Sequence, residues 1–532
     1  ENPIIYKPIK LQGIGAGGVY TDTNTRIYGS VIDGGAFTGD NALSEAWRAK
    51  VASLIGDNGV NMLGNPFPYD AQVIYLIALA DGTPYDSSFN VAIDGLAIQG
   101  GDVAGFPNNI NQIGGTPTGL PPNVVMQGGG IYANAYIRYL QISNNLLQSN
   151  AGSFGGAIRV GTPNLDNGTP YGASSHNEYL KIRNNRVIAN GGTNLAGAIG
   201  IFNGADNYEI AYNDICGNLS AELGGGISHY GYSPNGKIHH NRVIYNRSYD
   251  EGGGIIIAGE LPVSPTLNLS QGAGPVDVYA NLIQSNLGND DGGGLRFLVS
   301  GNYPFNVYNN IIVNNVSTHE GGGISIFDAP DVRVYNNTIM NNITTATAAT
   351  SNGQPAPAGL SSARNSNLLQ ATLPLTAPIF SNPLMFNNIF WDNRAGYWGG
   401  GGIGGIGLPG DPAPPNLWDF GILDGSGTLA ATNTLMQTAN GLPDASNIVG
   451  VDPQVTAAYT TSLSALSWRG NPNVVSAYIV ALDVPLEQLG NYHVQSGSPA
   501  VSSESRYQAN RVSAPARIAI TISTSTNVKP FG

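Results

Sequence analysis

A motif of the form Asn-x-apolar-x-x-Asn recurs eight times in the middle of this 532-residue chain and limits its fold more than any other feature. The copies begin at Asn145, Asn185, Asn213, Asn241, Asn281, Asn310, Asn337 and Asn388. Successive starts are 40, 28, 28, 40, 29, 27 and 51 residues apart, which indicates a unit of about 28 residues with extra residues in some copies. A period in this range is typical of solenoid proteins, in which each repeat packs on its neighbours.

A second motif, Gly-Gly-Gly/Ala followed by an apolar residue, keeps the same period. Its apolar residues are Ile131, Ile158, Ile227, Ile255, Leu295, Ile324 and Ile403, with a weaker copy before Ile199. Within the Asn motif the third position is always apolar, whereas the second mixes charged, polar and apolar residues. This alternation with a period of two predicts β-strands rather than helices. Asn and Gly both suit the left-handed backbone of tight corners, and stacked Asn side chains can form a hydrogen-bonded ladder.

These patterns predict an all-β fold, a right-handed parallel β-helix of about 10–12 coils that each rise about 4.8 Å along the axis. Residues 1–125 are predicted to form irregular first coils, with one helix at Leu43–Ile55. Residues 126–408 are predicted to hold the regular repeats, interrupted by an insertion rich in Ser, Thr, Ala and Pro at 344–382. Residues 409–532 are predicted to add further coils and a looser tail.

Charge and composition narrow the possible partners. The net charge is −13 and only 11% of the residues are charged, so the chain has no basic surface for nucleic acid or an anionic membrane. The longest apolar run, Val73–Ala80, is too short to span a bilayer, and Cys216 is the single cysteine. Because the chain begins at Glu1 in a strand-like run without a signal peptide, we expect a piece of a longer precursor with flanking domains.

Acidic residues collect immediately before the Gly-Gly-Gly corners. The predicted metal-binding set is Glu222, Asp250, Glu251, Asp290, Asp291 and Glu320, with His319 beside it. Equivalent positions on adjacent coils lie about 5 Å apart, so unpaired carboxylates there would repel one another. Three interpretations remain open: acids that point to solvent, a structural cation with calcium as the natural ion, and a catalytic groove.

A second polar set lies in two neighbouring coils beside Glu222 and Glu251, and it consists of His229, Tyr230, Lys237, His239, His240 and Arg242. If the protein is an enzyme, the predicted catalytic residues are Glu251, His239, Lys237 and Arg242, because a lyase needs a base and a cation that neutralises the substrate carboxylate. Exposed faces of a solenoid also collect polar residues without any catalytic role. Complete catalytic motifs of other hydrolases and metalloenzymes are missing from the sequence.

The repeats resemble those of chlamydial polymorphic outer-membrane proteins. The resemblance lies in Val187–Asn190 (VIAN) and in segments such as Gly155–Ile158 (GGAI). The segments 447–453 (NIVGVDP) and 491–500 (NYHVQSGSPA) are similar to the end of pectate-lyase-like β-helix proteins, although the usual Asp after the final segment is replaced by Val501. The resemblance implies a right-handed β-helix that is secreted or displayed at a cell surface, and it leaves function open.

The sequence therefore predicts an extracellular or cell-surface structural and adhesive β-solenoid without catalytic activity. Its predicted partners are copies of itself, joined end to end or laterally into a fibre or layer, or surface glycans. Two alternatives stay open: a polysaccharide-active enzyme similar to a polyuronate lyase, and a glycan-binding module.

Overall fold

Four stacked parallel β-sheets run along the molecule and confirm the predicted parallel β-helix. The computed structural model describes residues 2–20, 25–35, 42–57, 72–78, 85–101, 129–152, 154–163, 174–192, 194–261, 269–399, 402–408, 411, 413–467, 478–482 and 489–501. We number the sheets 1 to 4 in the order in which the chain passes through them in each regular coil. Each strand pairs in register with the equivalent strand of the coil before it. The topology agrees with right-handed winding.

The strands of each sheet are short, as a chain with frequent corners requires. Sheet 1 comprises Ile4–Ile5, Ile74–Leu76, Ile131–Ala133, Ile158–Val160, Ile199–Phe202, Ile227–Tyr230, Ile255–Ala258, Leu295–Leu298, Ile324–Phe327, Leu360–Ser362 and Phe420–Ile422. Sheet 2 comprises Lys10–Gln12, Ala92–Asp94, Gln141–Ser143, Lys181–Arg183, Glu209–Ala211, Gly236–His239, Val276–Tyr279, Phe305–Tyr308, Val332–Tyr335, Leu384–Phe386 and Ala431–Thr432.

The other two sheets follow the same stacking. Sheet 3 comprises Val31–Asp33, Ala97–Gln99, Leu146–Gln148, Arg186–Ile188, Asp214–Cys216, Arg242–Ile244, Leu282–Gln284, Ile311–Val313, Thr338–Met340, Ile389–Trp391, Leu435–Met436 and Ile448–Val449. Sheet 4 comprises Ala151–Gly152, Gly191–Gly192, Leu219–Ser220, Arg247–Ser248, Leu287–Gly288, Val316–Ser317, Ile343–Thr344 and Arg394–Ala395.

The predicted apolar column forms the core of the solenoid. Its eight members, from Leu147 to Phe390, are fully buried inside sheet 3. Both asparagines of the motif form ladders: Asn213 Nδ2 donates to Asn241 Oδ1 at 3.0 Å, and Asn218 Nδ2 donates to Asn246 Oδ1 at 2.9 Å. These amides replace water as partners for buried backbone groups at every turn.

The structure corrects the role predicted for the ladder asparagines at the corners. The left-handed residue is the one before each ladder position, for example Tyr212 at φ 59° and Tyr245 at φ 55°. The ladder asparagines keep φ negative and use their side chains for hydrogen bonds instead. The left-handed backbone conformation and the side-chain hydrogen bonds of the ladder therefore belong to two neighbouring residues and not to one.

The Gly motif before Ile403 is not a solenoid copy. Ile403 lies in an antiparallel hairpin formed by Tyr397–Gly399 and Gly402–Gly404. The matching strand of sheet 1 is Leu360–Ser362, inside the segment 344–382, and it pairs with Ile324–Phe327. That segment therefore consists of a solenoid strand between two loops, the second of which contains the short helix Asn367–Gln370. The division of the chain into three ranges stays a prediction.

One long helix, Ala42–Asp57, confirms the helix predicted at Leu43–Ile55. Its buried residues Trp47, Val51 and Leu54 pack on the outer face of sheet 1, where Trp47 meets the ring of Tyr75 edge-on at 5.5 Å. Among the described residues, neither helix is both long enough and apolar enough to cross a membrane. A further hairpin in this region pairs Gly18–Tyr20 with Thr25–Ile27.

The tail folds back over the solenoid. Strand Val455–Ala457 pairs with Asn491–Val494, and this pair packs on apolar side chains that project outward from sheet 3, including Val313 and Met340. A second hairpin, Leu463–Ser467 with Tyr478–Leu482, lies in the same way on the apolar outer side of sheet 4. The tail thus covers surface that the repeats leave apolar.

The Tyr492 side chain anchors this tail to the solenoid, and its removal is expected to let the tail detach. Its hydroxyl donates to Asn314 Oδ1 at 2.6 Å and accepts from the Tyr459 backbone N–H at 3.0 Å, while its ring is buried. Because truncation of a buried aromatic side chain costs about 3–5 kcal/mol, Tyr492→Ala should speed proteolysis within 455–500 by at least about tenfold. The exposed neighbour His493 gives the control, His493→Ala, and equal cleavage rates in the two variants would contradict the assignment.

Candidate functional site

The acidic residues lie where each coil turns from sheet 4 into sheet 1. One column along the axis holds Glu222, Asp250, Asp290 and His319, and backbone hydrogen bonds align it, such as Asp290 N–H to Asp250 O at 3.0 Å. A second column holds Glu251, Asp291 and Glu320, aligned through the glycines that follow them: Gly252 N–H donates to Asp291 O at 2.9 Å. Both columns fold over the outer side of sheet 1.

Glycine is required at this corner for two reasons. Gly292 has φ +69°, which only glycine adopts without strain, and a Cβ atom there would lie 2.7 Å from Cβ of Arg296. Gly252 has φ +70° and would meet Ile256 at the same distance. Because these glycines lie so close to sheet 1, the acidic side chains pack against the outer side of its strands and are removed from solvent.

The solvent-facing interpretation of these acids is therefore wrong. Asp250 and Asp290 are each 6% exposed and Glu320 is 2% exposed. Five carboxyl groups of the predicted set, those of Asp250, Glu251, Asp290, Asp291 and Glu320, form one buried cluster, which we call the acidic cluster. Glu222 occupies the preceding coil, at the position that corresponds to Asp250. Assignment of this set to a metal stays a prediction.

Arg296 joins three members of the acidic cluster and was not foreseen. Its Nε lies 2.7 Å from Glu251 Oε2, its Nη2 lies 3.0 Å from Asp291 Oδ2, and its Nη1 lies 3.4 Å from Glu320 Oε1. The side chain is 4% exposed and reaches the cluster from the second position of its strand in sheet 1. The corresponding positions on the two adjacent coils hold Ile256 and Ser325. Farther along the column the position holds Ser228, Gly200 and a second arginine, Arg159, so no regular repeat in the sequence marks Arg296.

Other side chains complete the hydrogen bonding at one end of the cluster. His319 Nδ1 lies 2.9 Å from Asp291 Oδ1 and 3.5 Å from Asp290 Oδ1. Thr350 donates to Asp290 Oδ1 at 2.6 Å, and Ser325 donates to Glu320 Oε1 at 3.0 Å. Among the described residues, the cluster contains only two cationic partners for five carboxyl groups.

Burial governs the protonation of these groups. Desolvation raises the pKa of Glu222 to about 8, and it raises the pKa of Glu251 to about 7 although Arg296 acts in the opposite direction. Burial and the charge of Asp291 raise the pKa of Glu320 to about 7. Burial lowers the pKa of His319, but its hydrogen bonds to Asp290 and Asp291 outweigh this and raise it to about 10. The histidine is thus a cation at neutral pH.

The structure does not bring the predicted catalytic set together. Glu251 lies at the sheet 1 corner and pairs with Arg296, whereas His239 and Lys237 belong to sheet 2 and Arg242 belongs to sheet 3. His239 Nε2 lies 3.1 Å from Glu209 Oε1, and Arg242 Nη1 lies 3.5 Å from Asp214 Oδ1. These four residues occupy three different faces of the coil.

His229 has a structural position inside the solenoid. It is fully buried, its Nδ1 lies 2.9 Å from the Tyr208 hydroxyl, and its Nε2 lies 2.8 Å from Gly231 O and 3.0 Å from Ala273 O. Gly236 leaves room for the Tyr208 ring, because a Cβ atom there would lie 2.2 Å from it. A neutral imidazole with Nε2–H toward the two carbonyls satisfies every partner.

This histidine should make stability depend on pH. Burial lowers its pKa to about 4 in the folded state, against 6.5 when exposed. The folded form therefore binds fewer protons, so its contribution is present above about pH 6.5 and is lost as pH falls toward about 4, by on the order of 3 kcal/mol. We expect chemical denaturation to show that the free energy of unfolding falls less between about pH 6.5 and about pH 4 in His229→Gln than in the wild type. If the free energies of unfolding of the two proteins differed by the same amount at every pH in that range, the assignment would be contradicted.

The outer side of sheet 2 carries aromatic and polar side chains, most of which are exposed or half-buried. Tyr279, Tyr308, Tyr335 and Phe386 form a column of parallel rings with centroids 4.8, 5.1 and 4.9 Å apart. His239 extends the column, with its ring 4.6 Å from that of Tyr279. Beside the rings runs a polar column, one residue per coil: Lys181, Glu209, Lys237, Asp277, Asn306 and Arg333.

Comparison with known proteins finds several similar solved structures. The chain resembles the A-module of a mannuronan C-5 epimerase from Azotobacter vinelandii, with 12% identity, a TM-score of 0.30, and coverage of 76% of this chain and 94% of the other. It also resembles the tailspike protein of E. coli bacteriophage HK620 in complex with a pentasaccharide, with 11% identity, a TM-score of 0.27 and 85% of each chain covered.

At these scores neither likeness supports an argument about function, and the fold assignment depends on the sheet topology. No family model and no curated protein matches the chain.

Proposed function

We propose that this protein is an extracellular or cell-surface structural β-solenoid that binds glycans through the outer face of sheet 2 and catalyses no reaction. One observation carries the proposal: the outer face of sheet 2 presents an ordered row of aromatic groups beside a row of polar groups, repeated from coil to coil. The long helix and the corners cover sheet 1, and the tail covers parts of sheets 3 and 4.

The acidic cluster supports the non-catalytic part of this proposal. Its carboxyl groups are largely buried, and Arg296 and His319 already pair with most of them, which leaves few of their oxygens to act on a polysaccharide. A general base must come within hydrogen-bond reach of the proton that it removes. The polar residues of sheets 2 and 3 form local pairs, His239 with Glu209 and Arg242 with Asp214, instead of converging on one point.

The sheet 2 face suits recognition by hydrogen bonds more than by stacking. Within the column, the ring faces of Tyr308 and Tyr335 are each occupied by neighbouring rings, which leaves their edges and hydroxyl groups for a ligand. The groups repeat once per coil, about every 4.8 Å, which matches a ligand that is itself a regular polymer. The nearby Asp277, Asn306 and Arg333 add donors and acceptors, and a neutral polysaccharide would meet no strong repulsion there.

Substitution of the tyrosine hydroxyls tests the binding face. The triple change Tyr279→Phe, Tyr308→Phe and Tyr335→Phe keeps the ring column, as Phe386 already shows, but removes three hydroxyl groups. We expect a glycan array to detect binding by the wild type and at least about tenfold weaker binding by the triple variant, since each lost hydrogen bond is worth about 0.5–1.5 kcal/mol. Tyr249→Phe, next to Arg247 on sheet 4, is the control and should bind like the wild type.

Two results would overturn the proposal. A flat array response by the wild type would remove the binding function. Rapid release of unsaturated uronate from a polyuronate, or rapid epimerisation of the polyuronate itself, would show catalysis and favour the enzyme alternative. Self-assembly through the strand edges at the ends of the solenoid stays a separate prediction, which sedimentation and electron microscopy of the purified chain would check.

A further inference from the structure

The hydrogen bonds of the acidic cluster are unevenly distributed. The donors in the cluster are Arg296, His319, Thr350 and two serines. Their hydrogen bonds reach Asp291 and Glu320, but only one oxygen of Glu251 and one oxygen of Asp290. Within the described part of the chain, no donor reaches the second oxygen of Glu251 or of Asp290. One end of the cluster is thus neutralised by the protein, and the other end is not.

Asp250 stands at the end that lacks donors. The residue is 6% exposed, yet none of the described residues donates a hydrogen bond to its carboxylate. One oxygen each of Asp250, Glu251 and Asp290 lie within 4.8 Å of one another. A buried carboxylate without partners is costly, and here it faces two further carboxylates instead of a cation.

A second unpartnered group lies on the neighbouring coil. Glu222 is 2% exposed, and its Oε1 is buried without any hydrogen-bond partner. It precedes Asp250 in the same column, and its charge acts on Asp250. Two consecutive coils therefore bury acids that the chain itself leaves uncompensated, which is an arrangement that oxygen-preferring cations stabilise.

We propose that Asp250, Glu251 and Asp290 bind one calcium ion between consecutive coils, with Glu222 at its border. Calcium accepts several carboxylates in an irregular arrangement, whereas magnesium requires near-octahedral geometry and retains water. The ion would join two successive coils of the solenoid and would leave Arg296 and His319 to neutralise the rest of the cluster. This site goes beyond the proposed glycan function and does not depend on it.

Thermal unfolding of the purified chain with calcium, with magnesium and with a chelator tests the proposal. We expect the wild-type Tm to rise by several degrees with calcium and to change little with magnesium, because a ligand that binds only the folded state stabilises it. Isothermal titration should give one calcium ion per chain. A Tm that responds to acidification but not to calcium would mean that protons neutralise the cluster, and it would overturn the proposal.

Matched variants separate this site from general charge effects. Asp250→Asn keeps the shape, removes one of the converging charges and should melt no lower than the wild type in chelator. Its calcium affinity should fall by at least about tenfold, since even loss of a ligand's outer hydrogen bond costs a metal site ten- to a hundredfold. Asp331→Asn, on an acid whose side chain is 41% exposed, should keep the full response. An equal calcium response in Asp250→Asn would overturn the assignment.

Discussion

Replacement of Asn246 by alanine is expected to destabilise the middle of the solenoid by about 2–5 kcal/mol, although the change removes only three side-chain heavy atoms. Asn246 Nδ2 donates to Ile215 O at 2.9 Å and to Asn286 Oδ1 at 3.1 Å. Its Oδ1 accepts from the Asn218 backbone N–H at 3.1 Å and from Asn218 Nδ2 at 2.9 Å. Alanine would leave these buried groups without their partners.

The effect should be local, because each coil contacts mainly its neighbours. Hydrogen exchange measured by mass spectrometry should show lost protection in the coils that hold Asn218 and Asn286, with less change toward either end. Asn352→Ala is the matched control, since Asn352 is exposed and only accepts a hydrogen bond from the Gln354 backbone N–H at 2.9 Å. Similar exchange in the two variants would show that the ladder contributes little to stability.

The ladder also shows what the sequence could predict. The spacing of the asparagines and the constant apolar position between them were sufficient for the stacked coils and for the inward face, because both patterns repeat in every coil. The division of labour at the corner was not visible, since the left-handed position holds Asn309, Tyr212 and Ala280 in different coils. Ladder asparagines, in contrast, are selected by hydrogen bonds that only an amide can make.

Features that occur once were missed. Leu360 takes its place in sheet 1 after Ala358-Gly359 instead of three glycines, so the glycine-rich run before Ile403 was the better match by sequence. The fold-back of the tail depends on contacts between residues as far apart as Asn314 and Tyr492, which no local pattern encodes. The acidic columns were predictable from their period, whereas their burial depends on the corner lying over sheet 1.

The acidic cluster is expected to depend on Arg296 for its stability. Arg296→Met removes the guanidinium group, whose nitrogens contact Glu251, Asp291 and Glu320, and leaves an apolar side chain of similar length. Removal of one partner from a buried ionic network typically costs about 3–5 kcal/mol, because the remaining charges stay buried without compensation. We therefore expect a strongly lowered Tm at about pH 8 in the presence of a chelator.

The pH profile distinguishes lost charge from lost packing. Glu251 and Glu320 already have pKa values of about 7, and loss of Arg296 should raise the pKa of Glu251 further, because the guanidinium lowers it in the wild type. A carboxyl group with a raised pKa contributes stability below its unfolded pKa and loses it as pH rises through the folded pKa. The variant should therefore regain more stability than the wild type between about pH 8 and about pH 5.

Two further variants complete this test. Arg333→Met breaks an ion pair with Asp331 in which both side chains are about 40% exposed, and it should cost less than about 1 kcal/mol. Arg296→Lys keeps a charge but loses the fork that reaches three carboxylates, so its Tm should lie between those of the wild type and Arg296→Met. If Arg296→Met and the wild type showed parallel pH profiles, the arginine would act by packing alone. The carboxylates around it would then be neutralised by another group.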